Sequence, residues 1–263
     1  MIYRFLIFFF FVGNAYAIDL NGNFTQGGLI IGKVSNNEII YLNNKKLKVS
    51  PEGYFIFGIS RNQTRDLKIK IESPLGNEII VKKIKKRKFK IQRIDGLPDK
   101  QVNPGPNELK QIKKETEVIK EAKNIDSNLI FFYQDFIKPL SGIKTGIYGS
   151  QRIINGQKRT PHYGIDIAAA IGTPVVSPND GRVILAKKNM FFTGNTIMID
   201  HGHGLISIFS HLDQIQSEMN EIKKKGDVIG TVGKTGRVTG PHLHYGIYWK
   251  NIGLDPDLIF KNN

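Results

Sequence analysis

The sequence predicts a mainly β protein, and two observations carry that prediction. Short runs rich in Val, Ile, Phe and Tyr recur from residue 18 onward, and Gly, Pro and Asn clusters separate them as turn signals. Within several runs apolar and polar residues alternate, the period of a strand with one buried face. The expected architecture is a C-terminal antiparallel β-sandwich with a groove, residues 139–263, preceded by a small all-β domain, residues 18–93. A linker, residues 94–138, joins them and carries a helix over about 107–124.

In the N-terminal domain the predicted strands are residues 29–34, 38–42, 54–57, 67–71 and 79–81, with turns at Asn43-Asn44 and at residues 51–53. No cluster of His, Asp and Glu with ligand spacing occurs there, so its expected role is spatial: binding, positioning or covering a groove. Residues 94–106 hold three Pro and two Gly and read as a linker or a lasso. Asn107 is placed to cap the helix, and Leu109, Ile112, Thr116 and Ile119 would form a thin apolar stripe that packs on the C-terminal domain. The C-terminal half reads as strands at 173–177, 181–186, 196–200, 205–210, 227–232 and 243–249. Val183, Leu185, Ile197, Ile199, Ile206 and Ile208 are its expected inward residues, and Gly202, Gly204, Gly226, Gly230, Gly233 and Gly236 its positive-φ turn residues.

Residues 1–17 combine Arg4, an apolar run from Phe5 to Val12 and the small-x-small triplet Ala15-Tyr16-Ala17, the pattern of a cleaved secretory signal peptide. The apolar run is short of the ~20 residues needed to span a bilayer, so no stable transmembrane anchor is expected. The chain of 263 residues has a formal net charge of +15 and no Cys. Disulfides and a lipid-modified Cys are thereby excluded, and any metal site must use imidazole and carboxylate. Residues 18–143 carry net +9 and residues 144–263 net +5. Lys82 to Arg93 holds eight cations and no acid, either a solvated face or a contact for an anionic envelope surface. Secretion argues against nucleic acid as partner.

The stretch with chemistry is Gly240-Pro-His-Leu-His-Tyr-Gly246, read with His162-Tyr-Gly-Ile-Asp166. In a strand His242 and His244 lie on one face and Leu243 and Tyr245 on the other. Pro161 and Gly164 disfavour a helix around His162, so Ile165-Asp166-Ile167 is read as a loop entering a strand with Asp166 on the open side. Two His and one carboxylate suit a zinc ion with an open fourth position, the arrangement of a catalytic rather than a structural site. Of the six His, five fall in the two pairs His201/His203 and His242/His244 and in His211; the His201/His203 pair sits in a Gly turn and is read as hairpin chemistry.

His-x-x-x-Asp, then Ser210-His211-Leu212, then Gly236 to His244 ending Gly-Pro-His-Leu-His, resembles the lysostaphin-type zinc metallopeptidases over residues 139–258. That resemblance implies a duplicated-hybrid-motif fold, with His162, Asp166 and His244 as ligands of one Zn2+ and His211 and His242 as the catalytic pair. It further implies a peptidoglycan endopeptidase, a hydrolase and metalloprotease of the periplasm or cell envelope whose partners are peptidoglycan cross-linking peptides. On sequence, His242 is the base and His211 the oxyanion or amine partner, with the reverse allocation open; Asp213 could orient His211 but is more simply an exposed turn residue. The rival reading is a non-catalytic cell-wall-binding regulator on the same fold, disfavoured because all five positions are filled. A biotinyl, lipoyl or phosphoryl carrier, suggested by residues 172–181 and 225–230, lacks the Met-flanked attachment Lys.

Overall fold

The computed structural model describes residues 18–35, 37–98 and 102–261. The segment expected to be a signal peptide, residues 1–17, lies outside them. Strands follow in the order β1 Asp19–Gly22, β2 Leu29–Lys33, β3 Ile39–Leu42, β4 Lys45–Lys46, β5 Tyr54–Gly58, β6 Leu67–Ser73, β7 Gly76–Lys82 and β8 Ile91–Ile94. After the helix Pro106–Lys123 come β9 Ile143–Gly146, β10 Gln151–Ile154, β11 Gln157–Lys158, β12 Ile165–Ala168, β13 Pro174–Val176, β14 Gly181–Met190, β15 Gly194–Gly202 and β16 Leu205–Ile215. The last four are β17 Ile222–Lys223, β18 Val228–Val232, β19 His242–Trp249 and β20 Ile252–Leu254. The protein is mainly β, as the alternation predicts.

Among the described residues these strands form four sheets. β1-β2-β5 and β4-β3-β6-β7 build the N-terminal part, with Ile30, Phe55, Phe57, Ile40, Ile69 and Ile71 buried between them. The largest sheet runs β17-β14-β15-β16-β19-β12-β9, with β13, β18 and β20 attached, and its pairings are antiparallel. The third sheet joins the two halves: β8 pairs in parallel with β10, Ile91 to Gln151 through Ile94 to Ile154. The core is continuous across the chain, since Phe55, Phe57, Trp249, Leu254 and Phe260 belong to one cluster. A Cβ on Gly58 would lie 2.8 Å from Leu254 Cδ2, so a glycine is needed where β5 meets β20.

Several sequence expectations are corrected here. The helix begins at Pro106 with Gly105 as N-cap, not at Asn107: Pro lacks the N–H that a first-turn residue would leave unsatisfied, and its fixed φ starts the helix earlier. Leu109 is 53% exposed; Val118, Ile119 and Ala122 near the C-terminal end pack on Ile184, Leu185 and Met198 instead. The six inward residues of the C-terminal half are all buried but on two faces. A register shift between Val183 and Leu185 turns Leu185 towards the helix, where the alternation of β16 already places Ile206 and Ile208, while Val183, Ile197 and Ile199 face the main core. Gly230 and Gly233 do not have positive φ. They are small because Gln214 O and the Asp213 backbone approach them. The basic segment 82–93 is not wholly solvated: Ile84 is buried, Arg87 bridges Asp255 at 2.7 Å, and its end is β8.

The His201/His203 turn is structural, as read from the sequence. His201 is fully buried, its Nδ1 2.7 Å from Asp180 O and its Nε2 2.8 Å from Ser207 Oγ. Burial pushes its pKa down to about 4, against an ordinary value near 6.5 in the unfolded chain. Below pH 6.5 the unfolded chain therefore binds a proton that the folded chain refuses, and stability falls as pH drops towards 4. Between pH 7 and pH 5 this one ring is expected to remove about 2 kcal/mol. Urea unfolding of the parent and of His201→Gln at both pH values should show a shallower pH dependence in the variant; equal slopes would refute the assignment.

Candidate metal centre and groove

The site is built by cross-strand register. β12 pairs with β19 so that Asp166 lies opposite His244 and Ala168 opposite His242, and therefore Asp166, His242 and His244 share the open face of the sheet. Ile165, Ile167, Leu243 and Tyr245, which alternate with them, are buried on the other face. His162 arrives from the loop before β12. Its backbone N–H donates to Ser150 O and its carbonyl accepts from Gly149, so the loop is clamped to residues 147–150 before the chain enters the strand.

His162, Asp166 and His244 converge. His162 Nε2 is 2.9 Å from His244 Nδ1 and 3.0 Å from Asp166 Oδ1, and His244 Nδ1 is 2.8 Å from the same Oδ1. Ring orientation is set from behind, since His162 Nδ1 donates to Ile147 O at 3.2 Å and leaves Nε2 as a lone-pair donor. One proton can bridge only one edge of this triangle, whereas a divalent cation above it satisfies all three atoms. A four-coordinate zinc with ligands ~2.0–2.2 Å away spaces its donors by roughly 3.3 Å, so the three atoms fit after opening by a few tenths of an ångström. Burial opposes the charge of Asp166, but the imidazoles of His162 and His244 beside it outweigh that and hold this carboxyl well below its ordinary range. Burial likewise pushes His244 down to about 4, so its ring is neutral and able to ligate at neutral pH.

His211 and His242 stand beside this triangle, their ring centroids 4.8 Å apart, and His211 lies 6.2 Å from His244. His211 has φ 66°, left-handed backbone that is uncommon outside Gly. Its N–H donates to Thr193 O, and the kink turns its ring to the open face while Phe209 and Leu212 on either side stay in the core. Its Nδ1 donates to Thr235 O at 2.9 Å, and that of His242 to Gly240 O at 2.9 Å. Carbonyls only accept, so in both neutral rings the proton sits on Nδ1 and Nε2 is an acceptor. Burial, then the neighbouring His244 and His242, push His211 down to about 3. Asp213 is exposed, and Thr235 takes the orienting role that a sequence reading could give it.

Sequence reasoning missed Arg152, whose Nη2 donates to Asp166 Oδ2 at 3.0 Å and fixes the carboxylate oxygen that faces away from the two imidazoles. A lone Arg in a four-residue strand carries no signal of this. Gln92 approaches the same guanidinium, and Gln92, Ile94 and Leu97 line a cavity of about 440 Å³ with His211, His242 and His244. The end of the basic segment and the residues just after it thus form part of the groove wall. Gly146, opposite Asp166 in β9, is also needed: a Cβ there would lie 2.7 Å from Asp166 Cγ and closer to Oδ2. Because only that side chain is obstructed, Gly146→Ala should fold and lose roughly 10–100-fold in zinc affinity, the cost of disturbing a ligand's support. Competition titration against a chromophoric chelator measures it; an unchanged affinity would show that Asp166 does not need this position.

Comparison with known proteins points the same way. The family model for Peptidase family M23 matches residues 160–256, the stretch that contains His162, Asp166, His211, His242 and His244. The peptidoglycan DD-endopeptidase ShyB of Vibrio cholerae is 40% identical over 95 residues, 36% of this chain and 22% of that protein. ShyA of the same organism, also named a peptidoglycan DD-endopeptidase, is 44% identical over 85 residues, 32% of this chain and 20% of its own length. The chain thus spans about a fifth of these relatives. A crystal structure from Pseudomonas aeruginosa described as a peptidase M23 superposes with a TM-score of 0.69 at 26% identity, covering 89% of this chain and 94% of that one. Its similarity therefore includes the N-terminal part as well as the C-terminal sheet.

Proposed function

We propose, from the match of residues 160–256 to the model for peptidase family M23, that the chain is a zinc metalloendopeptidase hydrolysing peptide cross-links of peptidoglycan. The observation that carries the reading is the triangle of acceptor atoms, 2.8–3.0 Å on each edge, flanked on the same face by two imidazoles with free Nε2 atoms. His162, Asp166 and His244 would hold the zinc, and His211 and His242 would be the catalytic pair. When bound, zinc supplies Lewis-acid polarisation and lowers the pKa of water to about 7.

The remaining chemistry belongs to the chain. His211, buried and disfavouring charge, orients the attacking water by accepting a hydrogen bond at Nε2. His242 is less buried, so an imidazolium there keeps more of its hydration; it takes the water proton at Nε2 as the C–O bond forms. The same Nε2–H then donates to the leaving nitrogen as the C–N bond breaks, giving a carboxylic acid and an amine. This modifies the expectation from sequence, in which His211 donates to the oxyanion or protonates the amine. With Nδ1–H committed to Thr235, the neutral ring has no second proton to offer.

The location that fits is the cell envelope. The leader-like pattern of residues 1–17 and the peptidoglycan DD-endopeptidase names of the relatives favour it. Among the described residues no helix is long and apolar enough to cross a membrane. A cross-linking peptide in extended form suits an open groove on a sheet face.

Zymography on purified peptidoglycan tests the reading. The parent protein should clear the substrate, a chelator should abolish clearing, and added zinc should restore it. His244→Ala should lose bound zinc and activity together, whereas His242→Ala should keep its zinc and lose roughly 10²–10⁴-fold in rate, the usual worth of a general base. A zinc-loaded parent that clears nothing would leave the non-catalytic regulator as the better account.

A further inference from the structure

One N-terminal sheet buries one face and leaves the other open. In the order β4-β3-β6-β7, the side chains of Ile40, Ile69 and Ile71 are buried in the core. Their alternates Tyr41, Lys68, Lys70, Ile79 and Val81 therefore share the outer face. Register sets these in rows: Tyr41 lies between Lys46 and Lys70, Lys70 is opposite Ile79, and Lys68 is opposite Val81. β7 is the edge strand, and edges ordinarily present charge, proline or a bulge. Here Ile79 is 52% exposed and Val81 62%, while Leu75, in the turn between β6 and β7, is 79% exposed. None of these residues lines the cavity of about 440 Å³ beside the candidate metal centre, so that centre does not explain them.

The charge on this face is one-sided. Glu72 is the acid that shares it, and it is spent within the face, accepting from Lys70 Nζ at 2.5 Å and from Tyr41 OH at 2.9 Å. Lys46 and Lys68 are exposed beside the aliphatic side chains. An occupant must supply anions next to a layer that accepts Ile, Val and Leu. A bilayer with anionic headgroups supplies both, because lysine stems lie along apolar surface while their ammonium groups reach phosphate. A second copy set edge to edge against β7 would add the same three lysines and no unspent carboxylate. Charge complementarity thus selects lipid.

We infer that the outer face of β3, β6 and β7, with Leu75 at its tip, docks on an anionic lipid surface. The inference stands on the N-terminal half and is independent of the peptidase reading. It places the envelope contact on this sheet rather than along Lys82 to Arg93, where Ile84 is buried and Arg87 is engaged by Asp255.

The test uses residues 18–263, which carry the whole described fold and lack the apolar run of residues 1–17 that would itself enter lipid. Co-sedimentation is measured with vesicles of phosphatidylcholine alone and of phosphatidylcholine and phosphatidylglycerol in equal parts. The protein should bind the anionic mixture at least about tenfold more tightly than the neutral vesicles. Lys46→Gln/Lys68→Gln, which leaves the Lys70 and Glu72 pair intact, should weaken that binding about 10–30-fold, the worth of two surface lysines. Leu75→Ser/Ile79→Thr/Val81→Thr, which keeps β-branched residues in the strand, should weaken it at least about tenfold with thermal unfolding matching the parent. No binding to the mixture, equal binding to both vesicles, or undiminished binding of either variant would each overturn the inference. So would a dimer in analytical ultracentrifugation that the triple variant abolishes while neither protein binds vesicles; the face would then be a contact between copies.

Discussion

The site depends on one register. Asp166 faces His244 across β12 and β19 because Ile165 lies opposite Tyr245 and Ile167 opposite Leu243, and those four side chains are 0–4% exposed in the core. A slip of one residue would drive Asp166 or His244 into that core and lift isoleucine or leucine into the groove. Hydrophobic burial on one face thus sets the donor atoms on the other. The apolar alternation that makes the fold legible is the same pattern that positions the chemistry.

Register alone brings side chains near one another; it does not choose their tautomers or aim. Backbone carbonyls do that. Ile147, Thr235 and Gly240 each accept from the Nδ1 of one imidazole, which commits the ring proton and turns Nε2 towards the groove in His162, His211 and His242. His244 is the exception, presenting Nδ1 to the triangle, with Gly164 leaving room at its other edge, where a Cβ would lie 2.8 Å from Cε1. The left-handed backbone of His211 costs on the order of 1–3 kcal/mol, and it persists because Phe209 and Leu212 anchor the strand on both sides of the kink.

Legibility in the sequence followed the range of the interaction. The strands around residues 29–34, 54–57, 196–200, 205–210 and 243–249 could be read because alternation and turn residues are local. The grouping of His162 with Asp166, and of His242 with His244, could be read because each pair is short-range; their meeting needed the resemblance, since nothing local pairs β12 with β19. Arg152, Thr235 and Gly146 were invisible for the same reason. Each acts on a partner far along the chain, and none belongs to a residue type that signals chemistry by itself. The helix start failed for a different cause: Asn107 has the right side chain for a cap, but Pro106 had already fixed the first turn. The facing of Leu185 was hidden because a bulge after Val183 inverts the alternation without changing composition, and that of Ile206 and Ile208 because they pair with Asp200 and Met198, on the opposite face from Ile197 and Ile199.

The boundary drawn at residue 93 shows how composition misleads where structure is shared. Lys82 to Arg93 looks like a charged tail closing one domain, yet its last residues belong to β8, which pairs in parallel with β10. Parallel pairing cannot be made by a hairpin; it requires a strand delivered from elsewhere in the chain, here from the N-terminal half. Arg152 sits on β10, one residue into that pairing, and it holds Asp166. The N-terminal half therefore touches the candidate metal centre through one strand and one guanidinium. The accessory half and the candidate site are thus joined by a continuous chain of contacts, from β8 to β10 and from Arg152 to Asp166.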